Sequence, residues 1–167
     1  MREVPGPLSF VLSVFLLASP FSSSTPQAQS AHQEETHLLG VWQLDLSKSK
    51  YSPGPAPTRE TRTYARDEKG VAGRIERHFD DGRVDVIDYR ADYDRDHLVY
   101  GSRTYDTLLL RRIDALTAEA VLSHAGRVFG TARRVMSSDG QTMTVTFRRT
   151  EPGDMIHNIA VYQKARK

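Results

Sequence analysis

His32, His37, His78, His97, His124 and His157 are the side chains best suited to move protons or ligate metal near neutral pH. Their spacing favours neither use. No two stand as His-x-His or His-x-x-x-His, the separations that bring two imidazoles onto one face of a strand or helix. The absence of cysteine removes thiolate nucleophiles, zinc–thiolate sites, disulfides and the acylated cysteine of a bacterial lipoprotein. Ser102, Ser123 and Ser137 lack the glycine pattern of a nucleophile elbow. Asp92-x-Asp94-x-Asp96 opens like a calcium loop, but His97 stands where the loop needs glycine and Arg103 where it needs glutamate. A polar turn is the better expectation there. Gly126 and Gly130 fall in a hairpin and a strand rather than ahead of a helix, so they cradle no phosphate. The sequence therefore predicts no catalytic, metal or cofactor centre, and a protein that is not an enzyme.

What remains is the chemistry of binding. Tyr64, Tyr89, Tyr105, Phe129 and Phe147 fall on separate predicted strands. Facing inward together, they would line a ligand cavity of mixed aromatic and polar character; the alternative is a filled core, since small barrels often pack solid. Arg62, Arg77, Arg90, Arg112 and Arg134 would neutralise an acidic ligand if they faced inward, or form a solvated face if they did not. The register of each strand decides between the two.

The elements that must position these groups are strands. Trp42, Leu44 and Leu46 alternate with Val41, Gln43 and Asp45, the period-two pattern of a half-buried strand opened by Gly40. Ser52-Pro53-Gly54-Pro55-Ala56-Pro57 leaves the sheet as a stiff overhang, because three prolines forbid a continuous ladder. The chain then reads as a meander, with strands expected over 59–65, 71–79, 84–93, 97–100, 104–113, 117–123, 127–136, 142–149 and 156–164. Asp81-Gly82 and Asp139-Gly140 are hairpin signals, because Asp-Gly pairs tolerate positive φ. The expected fold is all-β: an antiparallel up-and-down β-barrel of about nine strands. Pairing the first strand with the last would remove the exposed edge. His37-Leu38-Leu39 predicts a single turn at one end. Gly40 and Trp42 are expected to form a structural plug at the closed end, where an indole covers much apolar area and stacks with a cation.

The apolar run from Leu8 to Phe21 is too short to span a bilayer comfortably and is followed by small and polar residues up to Ala28-Gln29-Ser30. It has the form of a secretory signal. The organisation expected is a signal peptide over 1–30, a polar tail over 31–37 and a barrel over 38–165. Such a protein would be exported, periplasmic or extracellular, with no membrane span left after cleavage. The 23 basic and 21 acidic residues leave a net charge of +2 with no like-charge block, so nucleic acid is not an expected partner.

Gly40-Val41-Trp42 resembles the Gly-x-Trp signature that opens the barrel of the lipocalin and calycin superfamily. The chain is more closely similar to bacterial exported lipocalin-like proteins. The likeness is carried by Gly40 to Leu44, Lys48 to Pro55, Gly130 to Ser137 and Asp139 to Val145. The resemblance implies an arginine from a late strand packed on the tryptophan, with Arg148, Arg149 and Arg166 as the candidates. It also implies a small hydrophobic or amphipathic ligand held, without catalysis, in the barrel. The alternative function is an envelope or extracellular protein-interaction module. Its interior would be packed by Met143, Val145, Phe147, Leu108 and Leu110, and its surface or the Pro53 to Pro57 overhang would meet a protein partner.

Overall fold

The structure, a computed structural model, describes residues 36–68, 70–151 and 154–166. The expected signal segment over 1–30 and most of the polar tail lie outside the described residues. Ten antiparallel strands follow one another round a closed barrel. They are β1 (Gly40–Leu44), β2 (Arg59–Asp67), β3 (Gly70–His78), β4 (Val84–Ala91), β5 (Asp96–Tyr100), β6 (Thr107–Arg112), β7 (Thr117–His124), β8 (Arg127–Met136), β9 (Thr142–Glu151) and β10 (Asp154–Lys164). Each pairs with its sequence neighbours, and β1 closes the ring by pairing with β10 through Trp42↔Lys164 and Leu44↔Tyr162. Closure leaves no edge strand to be protected by other means.

Local chemistry sets the turns. Gly82 and Gly140 adopt φ of 79° and 66°, the left-handed region that a tight Asp-Gly hairpin demands. The proline-rich stretch after Tyr51 forms no strand and is tied down at its start, where His157 N–H donates to the Ser52 carbonyl at 2.7 Å. Residues 36–38 are helical and precede β1 at the closed end.

The structure departs from the expected boundaries at two places that matter. Leu46 does not continue the inward row of Trp42 and Leu44; β1 ends at Leu44, and Leu46 begins a 3-10 turn (Leu46–Lys48) with its side chain exposed. Tyr105 does not sit on a strand. The chain leaves the sheet after Tyr100, where β5 has only short pairings to β4 and β6, and rejoins it at Thr107. The ring holds ten strands, close to the approximate count expected.

One end of the barrel is filled. Trp42, Met143 and Tyr162 are wholly buried there, with Leu38 and Met136 against them. The Trp42 indole N–H donates to the Leu38 carbonyl at 2.8 Å, so the indole carries its apolar area into the core without stranding its polar atom. The cation over its ring is Lys164, whose Nζ lies 5.1 Å from the ring centroid and donates to the His37 carbonyl at 2.7 Å. None of the three candidate arginines takes that place. Arg148 and Arg166 are exposed, and the Arg149 guanidinium lies over the Phe129 ring at 4.4 Å. The register accounts for this: Lys164 is the direct cross-strand partner of Trp42.

Candidate ligand-binding cavity

Beyond the Trp42 plug the barrel is not filled. A cavity of about 280 Å³ runs to the opposite end, where Pro55, Pro57, Phe79 and Thr104 border it. Tyr64, Tyr89, Tyr105, Phe129 and Phe147 all contribute to its lining, and Trp42 does not. Of the residues that would pack the interior, Val145, Phe147, Leu108 and Leu110 lie on the cavity wall, while Met143 belongs to the plug.

Two surfaces of different character line this space. On β8 and β9, and on the loop before β6, Tyr105, Phe129 and Phe147 form a continuous aromatic strip. Their successive ring centroids are 6.4 and 6.0 Å apart, at interplanar angles of 33° and 25°. β10, which pairs with β9, carries with β2 and β3 a buried ionic cluster. Glu60 is 2% exposed and accepts three hydrogen bonds. Arg62 Nε–H and the Tyr162 hydroxyl each donate to Oε1 at 2.7 Å, and Arg77 Nε–H donates to Oε2 at 2.8 Å. The Arg62 guanidinium also lies over the Tyr162 ring, 4.7 Å from its centroid.

The electrostatics follow from that geometry. Burial would raise the Glu60 carboxyl, but Arg77, then Arg62, and the hydrogen bonds from Tyr162 and Arg77 outweigh it and hold it at about 2. Glu60 is therefore a carboxylate at any ordinary pH. Tyr51 is pushed up to about 12 by burial and by the nearby Glu60 charge, and burial likewise pushes Tyr89, Tyr105 and Tyr162 upward. The cavity thus presents neutral phenols, one carboxylate and the guanidiniums of Arg62, Arg77 and Arg134.

The structure divides the five arginines between the two expected placements. Arg62, Arg77 and Arg134 reach the cavity; Arg90 and Arg112 do not line it. Arg90 pairs with Asp67 at 3.0 Å with its side chain 74% exposed, and Arg112 lies over the Tyr93 ring at 4.3 Å. Glu60 and Tyr162 went unnoticed in the sequence, although a signal was present. Period two places Glu60, Arg62 and Tyr64 on one face of β2, so an inward Tyr64 carries the charged pair inward with it. The expectation that charge faces water hid this.

The remaining candidate groups lie apart from the cavity. His78 Nε2 is 2.6 Å from Glu76, His97 Nε2 is 2.7 Å from Asp92, and His124 Nδ1 is 3.5 Å from Asp106. Asp92 also takes Arg95, so its carboxylate is already engaged by Arg95 and His97. Among the described residues no group of three or more His, Cys, Asp or Glu side chains is arranged to hold a metal ion. The cavity can do what its walls allow: desolvate a ring system on one side and offer charged and phenolic hydrogen-bond donors on the other. Comparison with models of known protein families, and with curated proteins, finds no match.

Proposed function

We propose that this is an exported, lipocalin-like binding protein that holds a small amphipathic molecule in its barrel without transforming it. The observation that carries this is the cavity itself: about 280 Å³ of space lined largely by apolar and aromatic side chains, with a few placed polar groups. A barrel of this size can pack solid, and this one does so only at the Trp42 end. A protein-interaction module with a packed interior has less support, because Leu108, Leu110, Val145 and Phe147 border open space. The resemblance carried by Gly40-Val41-Trp42 and its companion stretches supports a lipocalin-like assignment. The Leu8 to Phe21 run supports export. Outward charges such as the Arg74–Asp88 pair, at 3.0 Å, support a barrel standing in water rather than in lipid.

The test is a panel of fluorescent fatty-acid, retinoid and naphthalene probes titrated against the mature protein. Saturable binding that an unlabelled competitor reverses is expected for at least one class. Failure of every probe to saturate at micromolar protein would overturn the proposal. N-terminal sequencing of exported material tests the compartment: a chain beginning near Ala31 is expected, and a retained Leu8 to Phe21 would refute cleavage.

A further inference from the structure

The cavity is about 280 Å³. An apolar cavity of about 150 Å³ accepts benzene, and drug-sized ligands occupy roughly 300–1,000 Å³. The available space therefore suits one or two fused rings and is too small for a long acyl chain. The Tyr105–Phe129–Phe147 strip offers such a ligand an extended aromatic wall, with rings spaced for offset stacking.

Charge narrows the class further. Arg62 and Arg77 share one carboxylate, Glu60. Two cations against one anion leave an unbalanced positive charge at a largely desolvated site. The other acidic residue that touches the cavity, Glu119, stands in register between Arg111 and Arg133. Asp85, the register partner of Arg77, lies 3.5 Å from Arg83 and 3.7 Å from Arg103. Arg77 meets Glu60 only through Nε. Among the described residues its two terminal nitrogens make no hydrogen bond to protein, and its side chain is 26% exposed on the cavity wall.

We infer that the cavity selects a compact planar aromatic anion, an aryl carboxylate, with its rings on the Tyr105–Phe129–Phe147 wall and its charge on the terminal nitrogens of Arg77. This rests on the cavity-binding function proposed above and specifies its ligand. An aryl carboxylate completes the charge balance that Glu60 leaves half done, through a paired guanidinium–carboxylate contact.

Calorimetric titration of the mature protein with 2-naphthoate, methyl 2-naphthoate and palmitate tests it. The acid and its ester share a ring system and differ in charge, so their affinity ratio isolates the anion. The expected result is a preference for 2-naphthoate of about tenfold or more, with no saturable binding of palmitate. Arg77→Met should bring the acid-to-ester ratio to within about twofold, while Arg77→Lys, which keeps the charge but not the paired fork, should retain only part of the preference. The ratio in the unaltered protein decides the matter even if Arg77→Met folds poorly. Equal affinities for acid and ester, a ratio untouched by Arg77→Met, or tighter binding of palmitate would each overturn the inference and leave the cavity-binding function standing. No binding of either naphthalene compound, or of any probe in the panel, would instead remove the cavity-binding function itself.

Discussion

Gly73 on β3 and Tyr89 on β4 are cross-strand partners, and a Cβ built on Gly73 would lie 2.4 Å from Cζ of the Tyr89 ring. The tyrosine therefore lies flat across the glycine backbone, against the barrel wall. Gly130 does the same for Phe147, whose ring atoms would come within 2.9 Å of an added Cβ. These two glycines keep two large side chains out of the lumen, so the cavity depends on side chains that are absent as much as on those that line it.

Gly73→Ala should therefore close the cavity rather than unfold the barrel. The clash falls on the far end of a tyrosine, which can swing inward, and strand backbone suits alanine at least as well as glycine. The expected outcome is a thermal midpoint within a few degrees of the parent and a loss of 2-naphthoate affinity of about tenfold or more. Gly73→Ala combined with Tyr89→Ser should restore the space and recover most of the affinity. Calorimetry and a melting curve on the three proteins check both arms; unchanged affinity in Gly73→Ala would show that Tyr89 does not limit the cavity.

Gly130→Ala should behave differently. Its added Cβ would lie 2.7 Å from the Arg148 carbonyl oxygen, a backbone atom that cannot step aside as a side chain can. Gly130 also pairs with Leu122 beside the register shift between β7 and β8. Separation of β8 from β9, or distortion of that shift, should lower the urea midpoint by the equivalent of about 1–3 kcal/mol. A midpoint equal to the parent's would mean that the strands can accommodate the methyl group.

The barrel was legible because its signals are local and repeated. Alternation on 142–149 and the Asp81-Gly82 and Asp139-Gly140 turns each specify a hairpin from a few neighbouring residues. The apolar Leu108-Leu109-Leu110 run predicts a strand over 104–113 that takes in Tyr105. The break depends on the short pairing of β5, which no local pattern records. The ionic cluster was harder to see. Glu60, Arg77 and Tyr162 lie on three strands, brought together only by barrel closure and by a register that sequence period does not fix. The same holds for Lys164, which replaces the expected arginine because it happens to stand opposite Trp42.

Glu60→Gln should be costly. The neutral amide leaves Arg62 and Arg77 as like charges in a buried site, and removing one partner of such a cluster typically costs about 3–5 kcal/mol. Arg77→Met should cost less, because Glu60 keeps Arg62 and Tyr162 and the Arg77 side chain is partly exposed. Urea unfolding of the two variants against the parent checks the order. Equal midpoints for the parent and Glu60→Gln would show that the cluster does not stabilise the fold.

The same carboxylate gives the fold an acid limb. Its value in the folded state, about 2, lies below the ordinary 4.5, so the unfolded chain binds the proton more readily. The stabilisation is present in full above the unfolded value and is lost as pH falls through the folded one, a difference on the order of 3 kcal/mol. Stability attributable to Glu60 should hold level from neutral pH down to about 4.5 and decline between there and about 2. Urea midpoints measured across that range should fall more steeply for the parent than for Glu60→Gln. Parallel curves would place the acid sensitivity elsewhere.

Trp42 separates plug from ligand contact. Its side chain is wholly buried, lies outside the cavity lining, donates to the Leu38 carbonyl and sits beneath Lys164. Truncating a buried tryptophan to alanine typically costs about 3–5 kcal/mol through lost burial and the void left behind. That is a large share of the roughly 5–15 kcal/mol that holds a domain together, and the chain has no disulfide to offset it. Trp42→Ala should therefore melt far below the parent or fail to fold, and should do so with or without ligand present. Lys164→Met, which keeps much of the apolar stem over the indole but loses the cation and its bond to His37, should cost only about 1–2 kcal/mol. A Trp42→Ala protein that melts within a degree or two of the parent yet binds 2-naphthoate weakly would overturn the plug and place the indole in the ligand site.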